Sequence, residues 1–376
     1  MIYTDERLKE LAEATDKLYE KTKGQHIRNK NIIFIYCPPK VGSTSLVSSI
    51  RIFACDKFTI HHLHDDNPIH FITKKNNITI LDIINYNNYI GKNVWVIDIY
   101  RTPLERKMSE FFEFINTTHF NTGNEKIKTY SIARITKRFN DIFSHIANED
   151  YYKERYNIPF PESFDFSKKY MMQDIDGVKY IKLRLQDSDM WGRILTNILG
   201  CEIKIIREYL TEKKEIGELY KQFKAEYVMP LNYLEDIQKE EQFIYYNDEK
   251  ERNEYTSKIK TGENHKGFTK EEYEIYKNVS MENSKGTTII RGHYVDQGCI
   301  CEICSKKRKN IRNSIHDGMM VEQKIWHNNL INEKNKNRLK IIALIKKKRE
   351  KNNNFLKNKP NKPKKTLGGN LWISWK

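Results

Sequence analysis

Short unbroken apolar runs alternate along the chain with longer stretches in which apolar residues recur every three or four positions. The first pattern predicts buried strands and the second amphipathic helices. Residues 4–23 place Leu8, Leu11, Ala14 and Leu18 on one face and predict an opening helix. Residues 31–37 predict a buried strand that Pro38 and Pro39 stop, and 46–53 predict the helix that follows. Further strands are expected at 58–63, 93–100 and 178–185, with a short fifth at 202–207. Residues 78–89 read as a short strand or turn running into a helix, and 103–116 as a helix. Residues 117–150 are partly helical, with Ile132, Ile135, Phe139, Ile142 and Ile146 on one face. Residues 151–166, rich in aromatics and prolines, read as an irregular loop able to line a cleft. Gln186, Asp187 and Ser188 read as the cap of a helix over 189–199 that Gly200 stops, and 211–258 reads as helical with a break at Pro230. Alternating strands and helices imply an α/β fold of three layers, with a mostly parallel central sheet flanked by helices. Such sheets bind ligands at the carboxyl ends of their strands.

Between the first strand and its helix lie Pro38, Pro39, Lys40, Val41, Gly42, Ser43, Thr44 and Ser45. A strand, a tight loop with a glycine and hydroxyls at a helix start make a phosphate-binding arrangement. Free N–H groups and the positive end of the helix dipole face the loop. Lys40 adds a full charge, and Ser43 and Thr44 add donors. The alternative is a hydroxyl-rich helix cap beside a surface lysine. The nucleoside-triphosphate loop G-x-x-x-x-G-K-[ST] is absent, because here the lysine precedes the glycine.

The strand over 93–100 runs into a second turn, Arg101-Thr102-Pro103, before a helix that carries Ser109 eight residues after Arg101. Pro103 suits a first helical turn, and an arginine offers a fork for phosphate oxygens. Lys40-x-Gly42-Ser43-Thr44 and this second turn, in this order, resemble the two donor-binding motifs of the sulfotransferase family. The Pro-Lys-Val-Gly-Ser and Arg-Thr-Pro-x-Glu-Arg wording is closest to its carbohydrate-modifying branches. The resemblance spans residues 30–270, with its specific motifs before residue 115.

The resemblance implies a sulfotransferase using 3′-phosphoadenosine 5′-phosphosulfate (PAPS) as sulfuryl donor and a hydroxyl acceptor, expected on a carbohydrate. It assigns the 5′-phosphosulfate to Lys40, Val41, Gly42, Ser43, Thr44 and Ser45, and the 3′-phosphate to Arg101 and Ser109. Lys260 and Lys266, in a basic glycine-punctuated stretch over 258–269, are candidates for covering the 3′-phosphate, against a solvated turn. Transfer asks for in-line geometry, a cation at the leaving oxygen and a base for the acceptor hydroxyl. Lys40 suits the leaving oxygen. For the base, the cluster His61, His62, Leu63, His64, Asp65 and Asp66 sits at a strand end, and two-residue alternation puts His62 and His64 on one face. His64 is the first candidate and His62 the second; a structural role, or a metal site with Asp65, is the alternative. Glu110 and Glu113 are expected to face solvent rather than the cleft.

The chain has 376 residues and a net charge of +16 from 66 Lys and Arg against 50 Asp and Glu. Residues 305–376 hold 21 of the basic and four of the acidic residues, which leaves 45 against 46 in the rest. The basic character therefore belongs to the tail and gives no reason to assign the main domain an acidic polymer. Three parts are expected: a catalytic domain over 1–285, a small cysteine-bearing segment over 286–330 and a basic tail over 331–376. Cys299, Cys301 and Cys304 suit part of a zinc site completed by a histidine, or free thiols. Cys37, Cys55 and Cys201 read as buried free thiols. The tail suits nucleic acid or another anionic surface, or a solvated segment. A charged opening helix and no apolar run of membrane-span length lead us to expect no transmembrane segment and a cytoplasmic setting. The competing classes are a nucleic-acid-binding protein working through its tail, and a P-loop kinase.

Overall fold

The strands that the apolar runs predict assemble into one five-stranded sheet in a computed structural model, which describes residues 3–21, 30–54, 57–120, 122–206 and 211–284. The strands are β1 Asn31–Tyr36, β2 Phe58–Leu63, β3 Asn93–Tyr100, β4 Tyr170–Ile175 and β5 Val178–Arg184, in the order β2-β1-β3-β5-β4. β1 pairs in parallel with β2 and β3, β3 in parallel with β5, and β4 lies antiparallel on the edge. The helices α1 Asp5–Lys21, α2 Ser43–Ala54, α3 Asn67–Thr73, α4 Ile80–Tyr89 and α5 Pro103–Glu113 alternate with the first three strands. Residues 78–79 form a turn rather than a strand, and Thr79 and Asp82 cap α4 reciprocally.

Side-chain alternation along β1 sorts its residues between two layers. Ile32, Phe34 and Tyr36 pack with α1, α3, α4 and the aromatics Tyr151, Tyr152 and Tyr156. Ile33, Ile35 and Cys37 pack on the other face with α2 and the helix Trp191–Leu199. A third cluster, built from α5 and the helices Ile132–Ile142, Gly217–Glu226 and Leu231–Lys239, stands apart from these two.

Three expectations need correction. Residues 202–206 form no strand; the fifth strand is β4, upstream of β5. Asp176 and Gly177, at φ +51° and +88°, make the left-handed two-residue turn that joins β4 to β5. Asp187 does not cap the next helix: it pairs with Arg184 at 2.5 Å, in a short 3-10 turn over Leu185–Asp187. The aromatics of 151–166 fill the core beneath the sheet's carboxyl end, and Tyr152 and Tyr156 are fully covered. Cys37 is a buried free thiol, and Cys201 is buried as well. Cys55 and the calls on Cys299, Cys301, Cys304 and the basic tail lie outside the described residues.

A charged network lies in the sheet itself. Asp98 of β3 and Lys182 of β5 are register partners, and Lys182 Nζ is 2.7 Å from Asp98 and 2.7 Å from Asp150. The Tyr152 N–H donates to Asp98 and the Tyr246 hydroxyl to Asp150. Burial pushes Asp98 up to about 6 despite Lys182. The network ties the 150s loop and the helix Glu241–Tyr246 to the strands that carry the site.

Buried histidines give the fold an acid sensitivity with a definite sign. Burial lowers His61 and His119 from 6.5 to about 3, and His62 to about 4. Below the unfolded value the unfolded chain takes up protons that these rings refuse, so stability falls as the pH falls through that window. Thermal midpoints measured from about pH 7 down to about pH 4 are expected to drop. His61→Phe, with the ring still against Phe34 and Tyr19, is expected to flatten part of that drop. An unchanged slope in the variant would remove His61 from the account.

Candidate active site

β1 lies between β2 and β3, so the chain leaves β1 toward one side and returns through β3 on the other. A crevice opens at such a switch point, outside the carboxyl ends of the strands. The turns after β1 and β3 both face it. Between them lies a cleft of about 580 Å³, within the range of small-molecule sites.

Lys40, Gly42, Ser43, Thr44, Ser45, His64, Arg101 and Ser109 all line this cleft. α2 begins at Ser43, so its first-turn N–H groups, free of intrahelical acceptors, belong to the loop. Gly42 sits at φ +91°, and a Cβ there would lie 2.7 Å from Leu185 Cδ1. Lys40 takes φ +66°, a left-handed conformation uncommon for a residue with a side chain. Its carbonyl accepts Arg101 Nη1 at 2.8 Å, and its ammonium meets Glu113 Oε2 at 2.9 Å. Both contacts offset the local strain.

Arg101 is thus bound to the Lys40 loop directly, and it also hydrogen-bonds Tyr220. Burial lowers Arg101 from the ordinary guanidinium range, and its Nε–H has no acceptor. The Ser109 hydroxyl, on a side chain almost wholly covered, lies on the same wall. Apolar lining comes from Leu185, Trp191 and Ile205, and Phe114, also in the lining, is exposed.

The histidines divide into two roles. His64 Nδ1 lies 2.7 Å from the Cys37 carbonyl, which can only accept, so Nδ1 carries the proton. In the neutral ring Nε2 then holds the lone pair, on a side chain that lines the cleft. His62 does not line the cleft: its Nε2 meets Ser43 Oγ at 3.0 Å behind the loop. Burial, with His64 and Arg51 nearby, lowers His62 to about 4 and keeps it neutral. Its position suits orienting Ser43 rather than taking a substrate proton.

Other expected residues lie elsewhere. The Val41 side chain is buried in the core, so only its backbone belongs to the loop. Lys260 Nζ donates to the Ala225 carbonyl, and Lys266 is exposed; neither lines the cleft. Their stretch docks on Leu231–Lys239 through Asn232 and His265, and on Asp141. Glu113, expected toward solvent, lines the cleft and holds both Lys40 and Lys214. Glu110 also departs from that expectation: its Oε2 is covered and without a hydrogen-bond partner, and burial raises it. Sequence reasoning missed Lys214, Glu212, Tyr220 and Ser188. Among the described residues, no group of three or more His, Cys, Asp or Glu is placed to hold a metal, and no helix is long and apolar enough to cross a membrane.

No protein-family model, no curated protein and no solved structure matches this chain. What the arrangement offers is chemical. The lining brings together helix N–H groups, hydroxyls, an ammonium and a guanidinium, with the His64 ring among them.

Gly42→Ala tests whether the loop conformation matters. The substitution forces a side chain into φ +91° and against Leu185, at a cost of about 1–3 kcal/mol. Urea unfolding is expected to show that loss, and binding of anionic nucleotides to the cleft is expected to weaken with it. Full stability and binding in the variant would place the ligand elsewhere.

Proposed function

We propose that this chain is a sulfotransferase that moves the sulfuryl group of PAPS to a hydroxyl of a carbohydrate. The reading rests chiefly on one observation: the Lys40 loop and the Arg101–Ser109 turn, 61 positions apart, open into the same cleft and are joined by the Arg101–Lys40 hydrogen bond. A ligand with more than one anionic group suits that arrangement. The carbohydrate rests on the wording of the two motifs.

In this reading the 5′-phosphosulfate lies against Gly42, Ser43, Thr44 and Ser45, and the 3′-phosphate against Arg101 and Ser109. The acceptor oxygen attacks sulfur and its proton passes to His64 Nε2. The bond from sulfur to the 5′-phosphate oxygen breaks, and Lys40 balances the charge that develops on that oxygen. The products are a sulfate ester and adenosine 3′,5′-bisphosphate. The aromatic and apolar wall, Phe114, Leu185 and Trp191, suits a purine face.

Thermal shift with adenosine 3′,5′-bisphosphate against ATP tests the donor. The bisphosphate is expected to raise the midpoint, since binding to the native state alone stabilises it, and ATP to raise it less. Arg101→Ala is expected to weaken bisphosphate binding more than Lys40→Ala does, and Lys40→Ala to abolish transfer. His64→Ala is expected to lower transfer on the order of 100-fold while binding persists. Equal stabilisation by ATP, or full activity in both cation variants, would overturn the assignment.

A further inference from the structure

Glu113 is placed where an anionic ligand would be. Its Oε2 receives the Lys40 ammonium at 2.9 Å and the Lys214 ammonium as well, so two cations converge on one oxygen at the mouth of the cleft. Lys40 comes from the loop after β1 and Lys214 from the segment before the helix Gly217–Glu226. The two ammonium groups meet at the Glu113 carboxylate. Two ammonium groups that close would repel each other without it. The two lysines pull Glu113 below the ordinary carboxylate range, so it is ionised at neutral pH.

The charge inventory makes this carboxylate a competitor. Lys40, Lys214 and Arg101 stand against Glu113 and Glu212 among the lining residues, so the charges that line the cleft nearly balance. An anion entering it gains the lysines only by replacing Glu113. Replacement is cheap in structural terms. The Glu113 side chain is 36% exposed and sits at the last position of α5, so it can swing to water. Pairs this exposed are individually weak.

We propose that Lys40 and Lys214 form a subsite for a tetrahedral oxyanion, a sulfuryl or phosphoryl group, and that Glu113 occupies it until the ligand arrives. The proposal rests on the donor reading for which anion is carried there, and on the ion geometry alone for the subsite. Lys214 is then a binding residue for the terminal group of the donor. Lys40 reaches that group only after release from Glu113.

Calorimetric titration with pyrophosphate alone tests the subsite in the intact chain, using wild type, Glu113→Gln and Lys214→Ala. Glu113→Gln is expected to tighten pyrophosphate about three- to fivefold, the size of one partly exposed ion pair, and Lys214→Ala to weaken it by a similar factor. The direction for Glu113→Gln is the decisive readout, because a carboxylate that merely braces Lys40 would weaken binding on removal. Pyrophosphate affinity that falls in Glu113→Gln, or is equal in all three proteins or undetectable in wild type, overturns the subsite. Adenosine 3′,5′-bisphosphate, titrated in parallel, tests the donor separately. Its failure to bind while the pyrophosphate pattern holds would sink the nucleotide and leave the oxyanion subsite standing.

Discussion

The site depends on one hydrogen bond, from the Arg101 guanidinium to the Lys40 carbonyl. The bond joins the turn after β1 to the turn after β3. It also explains why a lysine tolerates φ +66°. In that conformation the Lys40 carbonyl points toward β3 and its side chain toward α5, so one residue serves both neighbours. A glycine would adopt the backbone more easily, but it would bring no cation. The cleft-lining groups of the two turns are therefore held as a unit rather than as two loops that happen to be close.

That unit stands on a buried ionic frame. Arg101 leaves β3 three positions after Asp98, and Asp98 is fixed to Lys182 across the β3–β5 register. Arg184, two residues further along β5, is wholly buried and forms a fork with Glu251 at 2.6 and 2.9 Å. Burying charges costs more than apolar packing of the same volume. The cost falls at the carboxyl ends of the two strands beside the cleft, where their direction and spacing set Arg101. Apolar residues would hold the strands together equally well. They would give no preference for the one register in which Asp98 faces Lys182, whereas a slip of one residue would leave both charges buried and unpaired.

Much of this was legible in the chain, and the failures have identifiable causes. The runs at 31–36 and 93–100 were plain because parallel strands covered on both faces read as nearly continuous apolar segments, and those at 58–63 and 178–184 because apolar and β-branched residues still dominate them. β4 was missed because Tyr170–Ile175 is a half-exposed edge strand with polar residues, although Asp176-Gly177 is a strong hairpin signal. Residues 202–206 misled because Ile203 is buried from an irregular segment that folds back on the preceding helix, where its N–H meets Thr196 Oγ1 at 2.9 Å, rather than from the sheet. Glu113 was within reach: it lies four positions after Ser109, so a helix that shows Ser109 to the cleft shows Glu113 too. Lys214 was not, because it comes from a short irregular segment with no periodicity to orient it. The pairing of Asp98 with Lys182 was also out of reach, since it depends on which strands become neighbours.

The two histidines show how burial assigns work that sequence alone leaves open. Two-residue alternation places His62 and His64 side by side, and their rings do meet edge to face at 4.6 Å. Alternation cannot say which of them is free to exchange a proton with a ligand. The His62 Nε2 is engaged by Ser43, and burial makes its protonated form costly. His64 spends its Nδ1 proton on the Cys37 carbonyl at the end of β1, and its backbone carbonyl accepts the Tyr151 hydroxyl at 2.5 Å. The same strand that ends in the phosphate loop therefore fixes the tautomer of the ring beside it. The transfer we propose requires its base and its donor-binding loop to keep a constant separation. Here both hang on the last residues of β1, so a shift of that strand would carry them together rather than apart.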